Sequence, residues 1–254
     1  FGRYQANRSR IQAENNRRIT DLEEAKKIQE SMLPKKIPEF AGYDIAAGLI
    51  TSTEVGGDYY DFFQSNKDEL FAVCGDATGH GTAAGMMVSI IKSGLNGLPI
   101  LSVNVILEKL NNIVKKIDLG RLRMSLSVLK LTKEKIEYSA AAMPPFFYYN
   151  SKKATCEEIL LEGLPLGGLK NESYTKQSLE MSKGDTIMVV SDGLPEAENE
   201  NKELYDYQRI NSILKNSNEL DAEEIKKKLF SSLDNWLKGG IPEDDVTVLI
   251  IKKN

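Results

Sequence analysis

The 254-residue sequence has a single histidine, His80, and only two cysteines, Cys74 and Cys156. One histidine excludes any site built on several imidazoles. Two cysteines this far apart exclude a Cys-rich zinc site. Metal chemistry here must rest on oxygen ligands, which favour Mg²⁺, Mn²⁺ or Ca²⁺. Two lone thiols do not make a disulfide framework, so a reducing, cytoplasmic setting is expected. No run of 18 apolar residues is present, so no membrane contact is expected, and no signal peptide is visible. Basic residues are not in excess: 33 Lys and Arg face 37 Asp and Glu, for a net charge of −4. Such a chain is not built to blanket a phosphate backbone, and nucleic acid is not an expected partner. P-loop and dinucleotide glycine patterns are absent, as are internal repeats.

What remains is an ordinary globular composition, 41% hydrophobic and 28% charged, long enough for one large domain or two small ones. Residues 1–33 stand apart. Ile19, Leu22, Ala25, Ile28 and Met32 recur every three or four positions, which predicts a helix with a narrow apolar stripe. Pro34 and Pro38 stop it. A thin stripe buries little alone, so two readings stay open: a solvated extension of the domain, or a coiled-coil-like signalling linker. The second is preferred. The chain begins at Phe1, which leads us to expect a fragment of a larger protein.

From residue 34 to 254 the texture is that of one domain. Strands are expected at 43–52, 58–64, 69–75, 124–131, 135–142, 145–150, 157–161, 174–181, 186–191 and 245–252. Helices are expected at 82–94, 103–116, 205–215 and 222–237. Strands come in runs and helices in pairs, which fits a layered α+β fold and not alternating βαβ units.

Four acidic sites share a local grammar. Asp58 lies in Val55-Gly56-Gly57-Asp58-Tyr59-Tyr60-Asp61-Phe62, and Asp76 in Val73-Cys74-Gly75-Asp76-Ala77-Thr78-Gly79-His80-Gly81. Asp192 ends Val189-Val190-Ser191-Asp192-Gly193, and Asp244-Asp245 opens Asp244-Asp245-Val246-Thr247. An Asp at the polar end of a buried strand has a fixed backbone and a short side chain. Several that converge would hold a hard divalent cation at little entropic cost. Singly, each is also explained as an ordinary turn residue.

In order and spacing, these motifs resemble those of the metal-dependent type 2C (PPM) Ser/Thr protein phosphatases, in particular the bacterial SpoIIE/RsbU branch. Leu164-Pro165-Leu166-Gly167, Gly184-Asp185 and Glu196 match as well, and the resemblance spans roughly residues 40–253. It implies a four-layer α-β-β-α sandwich with two central, mostly antiparallel sheets, preceded by the long N-terminal helix. It also implies a site with two Mn²⁺ or Mg²⁺ ions. Asp76 would bridge both, with the Ala77 carbonyl as a further ligand. Asp58 would hold one ion, and Asp192 and Asp244 the other. Asp245 is the alternative to Asp244, and Asp244 is preferred because the first acid of the pair fits the family pattern.

The implied activity is hydrolysis of phosphoserine or phosphothreonine on a partner protein by a metal-activated water. The implied partner is a STAS-type anti-sigma factor antagonist. Control would come from an upstream sensor through residues 1–33, with a homodimer through that helix as one arrangement. His80 has the chemistry of a general acid for the leaving oxygen; the alternative is that it closes the turn before the following helix. Asp61 and Glu196 read as structural. The branch usually has Gly-His where Ala142-Met143 stand, which puts any role of a second histidine in doubt. The competing readings are a non-catalytic signalling module on the same fold and a hydrolase of small phosphoesters.

Overall fold

Apolar side chains alternate along the central strands, so each strand faces two cores. Leu70, Ala72 and Cys74 enter one core, and Phe71 and Val73 another. Leu249 and Ile251 join the first of these, while Val248 and Ile250 enter a third. Strands buried on both faces must lie inside a stack of layers, and that is the architecture of the computed structural model, which describes residues 2–53 and 55–254.

The elements in chain order are α1 (Gly2–Met32), β1 (Tyr43–Ile50), β2 (Asp58–Asn66), β3 (Glu69–Ala77), α2 (Thr82–Gly97), α3 (Val103–Ile117), β4 (Met124–Leu131) and β5 (Lys135–Ala141). They continue with β6 (Phe146–Asn150), β7 (Thr155–Ile159), β8 (Gln177–Glu180), β9 (Thr186–Val190), α4 (Asp206–Lys215), α5 (Ala222–Leu237) and β10 (Val246–Lys253). Two five-stranded sheets form, ordered β1-β10-β9-β6-β7 and β2-β3-β4-β5-β8. All their pairings are antiparallel.

The sheets pack face to face through Leu70, Leu129, Leu131, Tyr138, Ile187 and Leu249. Helices α2 and α3 cover the second sheet with Met87, Ile91, Leu107 and Leu110. Helices α4 and α5 cover the first with Ile210, Leu214, Leu229 and Leu233. The order is helix, sheet, sheet, helix, the four-layer α+β sandwich that the resemblance implied. An Asp221–Glu224 capping box starts α5, satisfying backbone N–H groups that the first helical turn leaves unpaired.

The element boundaries depart from the sequence expectation for local reasons. Helix α2 runs on past Gly94 because that glycine is a contact point and not a stop: a Cβ there would meet Leu110 Cδ2 at 2.7 Å. Strand β8 shrinks to the four residues that pair with β5 at the sheet edge. Ala142 has φ of +54°, the left-handed region where glycine is favoured. Met143 is buried between the sheets. The departure from the Gly-His pattern therefore places an apolar side chain in the core.

Helix α1 leaves much of its apolar stripe uncovered: Ile11, Ile19 and Ile28 are all more than half exposed. Its last turn is anchored. Lys92 of α2 donates to the Met32 carbonyl and, at 2.7 Å, to the Asp61 carboxylate, which also accepts from Tyr59 Oη at 2.6 Å. Asp61 thus fastens α1, α2 and β2 together.

A buried carboxylate locks the opposite turn. Asp185 accepts from Tyr148 Oη (2.8 Å), the Ser151 amide and hydroxyl (both 2.7 Å) and the Ser182 amide (2.8 Å). Burial raises the Asp185 pKa, but these hydrogen bonds outweigh it and the net shift is downward. A depressed folded-state pKa contributes stability above the unfolded value of about 3.9, lost as pH falls through the folded value. Asp185→Asn should cost about 2 kcal/mol at pH 7, and the gap to wild type should close as pH falls below about 3.9. Urea denaturation across that range checks it; a gap independent of pH would refute the assignment.

Candidate metal centre

The β2–β3 hairpin pairs Asp58 directly opposite Asp76, so two carboxylates meet at one end of the second sheet. The first sheet delivers the others to the same end. Asp192 follows β9, and Asp244 and Asp245 precede its neighbour β10. The loop before β2 is zipped to its surroundings by main-chain bonds, from Ala77 N–H to Gly57 O (3.0 Å) and from Gly81 N–H to Val55 O (2.8 Å).

Glycine is required where that loop approaches the acids. A Cβ on Gly57 would stand 2.5 Å from the Ala77 carbonyl oxygen, 2.9 Å from Asp76 Oδ1 and 3.0 Å from the Gly79 carbonyl oxygen. Three oxygens thus crowd a space that only a residue without a side chain leaves open.

The carboxylates feel one another. Burial, then the Asp192, Asp244 and Asp245 carboxylates, push the Asp76 pKa up to about 8. Burial and Asp76 push Asp58 well upward, against hydrogen bonding that favours its ionised form. Burial and Asp244 raise Asp192. Glu196 is raised by burial, Asp192 and Asp244, so it stands beside this cluster, next to the Asp192 loop. Asp58 and Asp76 are close enough to share a side-chain hydrogen bond, although among the described residues no group of three or more His, Cys, Asp or Glu is gathered as tightly as a filled metal site. The donor set still suits a hard cation. It combines hard carboxylate oxygens, main-chain carbonyls and a concentration of like charge that a divalent ion would relieve.

The two candidates at 244 and 245 separate clearly. Asp245 is 1% exposed. Its Oδ1 accepts from the Ser52 amide (2.8 Å) and hydroxyl (3.1 Å), and its Oδ2 from the Gly57 amide (2.8 Å). Asp244 is exposed on the rim, where its Oδ1 accepts the Asp245 amide at 2.8 Å. Asp245 is committed to the framework, while the exposed Asp244 lies close enough to raise both Asp76 and Asp192.

His80 is exposed in the loop between β3 and α2. It makes no hydrogen bond among the described residues, and α2 has no side-chain cap. The turn is closed by main-chain geometry and not by the imidazole.

Two contributors were not assigned roles from the sequence. The Ser191 hydroxyl donates to Asp58 Oδ2 (2.7 Å) and accepts the Thr247 amide (2.9 Å). Strand alternation carried that signal, since Ser191 shares the inward face of Val189. Gln29 of α1, buried, donates to the Gly56 carbonyl (2.6 Å) and accepts the Gly56 amide (2.9 Å). Nothing in a single sequence marks it.

A four-layer sandwich with carboxylates gathered at the joint ends of both sheets defines the PPM, or type 2C, class of phosphatase. Within that class the chain belongs to the SpoIIE family: the model described as Stage II sporulation protein E (SpoIIE) matches residues 66–254. It is 27% identical over 238 residues to the phosphoserine phosphatase RsbU of Bacillus subtilis (strain 168), covering 92% of this chain and 70% of that one. Among solved structures it is similar to the SiaA-PP2C domain of Pseudomonas aeruginosa, with a TM-score of 0.79 at 17% identity, covering 94% of this chain and 99% of that one. It is also similar to RsbX in complex with magnesium, with a TM-score of 0.66 at 19% identity, covering 86% and 99%. At these identities the structures establish the fold.

The different duties of the two neighbouring acids are measurable. Asp245→Ala should cost about 3 kcal/mol or more, because it leaves buried amides unpaired. Asp244→Ala should stay within about 0.5 kcal/mol of wild type. Urea denaturation of both variants without added metal decides; equal losses would show that both acids are framework.

Proposed function

We propose that this chain is a metal-dependent protein Ser/Thr phosphatase that removes phosphate from a partner protein. The observation that carries this reading is the meeting of Asp58, Asp76, Asp192 and Asp244 with the Ala77 carbonyl where the two sheets end together. In this reading two Mg²⁺ or Mn²⁺ ions bind. Asp58 would hold one, Asp192 and Asp244 the other, and Asp76 would serve both, with the Ala77 carbonyl as a further ligand. Bound divalent ions supply Lewis acidity toward water and phosphate and offset negative charge.

The chain's own residues do the rest. Ser191 orients the Asp58 carboxylate through its 2.7 Å hydrogen bond. Asp245 holds the Gly57 amide and with it the crowded oxygens above Gly57. In this reading His80, exposed four residues after Asp76, gives a proton to the leaving serine or threonine oxygen. No step calls on Cys74, which is fully buried, with its pKa well above the ordinary thiol value through burial and the neighbouring Asp58 and Asp76.

Residues 1–33 act as the input linker and residues 34–254 as the catalytic domain. The Gln29 contact with Gly56, two residues before Asp58, supports control by an upstream sensor through α1. The exposed stripe on α1 suits a homodimer through that helix. The similarity to RsbU supports a phosphoserine substrate, for which a STAS-type anti-sigma factor antagonist is our choice. Among the described residues no helix is long and apolar enough to cross a membrane, and we place the reaction in the cytoplasm.

Phosphate release from a phosphoserine protein and from p-nitrophenyl phosphate, with and without Mn²⁺, tests the reading. Wild type should turn over both only with metal. Asp76→Asn should lose at least ~100-fold, as befits a direct ligand. In EDTA the same variant should melt higher than wild type, because a repelling charge is gone, and Mn²⁺ should no longer stabilise it. No metal-dependent turnover on either substrate refutes the enzyme; turnover only of the aryl phosphate makes it a small-phosphoester hydrolase.

A further inference from the structure

A second concave site lies on the outer face of α3. Lys109, Asn112, Ile113 and Lys116 are spaced i, i+3, i+4, i+7 and form one stripe of that helix. With Leu98, Lys115, Lys170 and Asn171 they line a cavity of about 560 Å³. Leu98 and Ile113 form an apolar floor that continues into the core beneath.

The lining of this cavity carries four lysines and no carboxylate. Several lysines elsewhere pair with carboxylates, such as Lys92 with Asp61 and Lys130 with Glu69. None of Lys109, Lys115, Lys116 and Lys170 has a carboxylate partner among the described residues. Lys115 reaches only the Gly168 carbonyl, at 3.3 Å. The nearby Glu108 and Glu172 lie within electrostatic reach of the buried Tyr174, and neither pairs with these lysines. On a chain of net charge −4, four uncompensated ammonium groups converge on one hollow.

Met124 pairs with Ala77 and Ser125 with Asp76, so the turn joining α3 to β4 sits beside the carboxylates. The Thr78 amide and hydroxyl both bond the Arg123 carbonyl, at 2.9 and 3.0 Å. Gly167, next to the Lys115 acceptor, packs against the Arg123 side chain. Through Gly167 and Arg123, the Lys115 side of the hollow is connected to the loop that follows Asp76.

We propose that this cavity docks an acidic segment of a partner polypeptide, one carrying Asp and Glu side chains. The apolar floor and the Asn112 and Asn171 amides suit a peptide. The absence of any aromatic lining is unsuited to stacking nucleobases. That the docked partner is also the substrate rests on the phosphatase reading; the binding itself does not.

Anisotropy of a fluorescein-labelled octaglutamate peptide on the full chain tests the binding, at 50 and 300 mM NaCl. Replacing Lys109, Lys116 and Lys170 together by Gln should weaken it about tenfold at low salt, the sum of several exposed ion pairs. Replacing the exposed Lys67, Lys152 and Lys153 by Gln removes the same charge from other faces and should change it less than twofold. Equal losses in the two triple variants, no binding to wild type, or tighter binding of an oligothymidylate of equal charge would each overturn the proposal. Kinetics then address the substrate. For a phosphoserine peptide with an acidic tract, the cavity variant should raise KM about tenfold and leave kcat and p-nitrophenyl phosphate turnover unchanged. An unchanged KM would refute docking of substrate. Wild type inert toward both p-nitrophenyl phosphate and the phosphoserine peptide would refute the phosphatase reading while the anisotropy result stood.

Discussion

The Asp245 carboxylate accepts hydrogen bonds from the Ser52 amide and hydroxyl, at the end of one sheet, and from the Gly57 amide, at the start of the other. Its own backbone leads into β10. One side chain thus fixes both ends of the Ser52–Gly57 connection to the start of β10, nearly two hundred residues away in sequence. The fit is close: a Cβ on Gly56 would fall 1.8 Å from Asp245 Oδ2. Apolar packing brings the sheets together without direction. This carboxylate gives the join its register, and the positions of Asp58 and Asp76 follow from it.

That join holds mutually repelling groups in place. Asp76, Asp58 and Asp192 all have raised pKa values, through burial first and one another second. The centre is therefore a local cost to stability borne by the layers around it, where Leu107, Leu110, Leu229 and Leu249 are fully buried. Functional sites commonly concentrate perturbed groups in this way. Asp185 is the opposite case in the same protein. There the donors match the carboxylate and its pKa falls.

Much of the fold was legible because the strands alternate cleanly and the helices carry wide apolar faces. β4 and α5 have the expected limits, and strands in runs with helices in pairs announced a layered α+β fold; the four-layer order was expected only through the family resemblance. The acids at 58, 76, 192 and 244 stood out in the sequence as a set, since each lies at one end of a strand beside a turn, and the structure brings them to one end of the two sheets. The division of labour between Asp244 and Asp245 was not legible, because it depends on which carboxylate meets the Ser52 and Gly57 amides across the sheet join. Gln29 was hidden for a similar reason: its partner is a peptide group 27 residues away, and peptide groups leave no trace in a sequence pattern. The cavity on α3 escaped notice because its lysines look like an ordinary solvated face until the absence of counter-charges is seen in space.

The pairing of Gln29 with Gly56 uses one amide as both donor and acceptor. Glu could not replace it without losing the donor, and Asn falls a methylene short. Both groups are neutral, so ionic strength, which screens contacts between charges, does not act on this one. The same holds for protonation, since neither amide titrates in the range where the neighbouring acids do. The helix is thereby coupled to the most highly charged part of the protein by a fastening insulated from it. Shifts of salt or acidity in the cell can change what the centre binds while leaving the mechanical connection to α1 as it was.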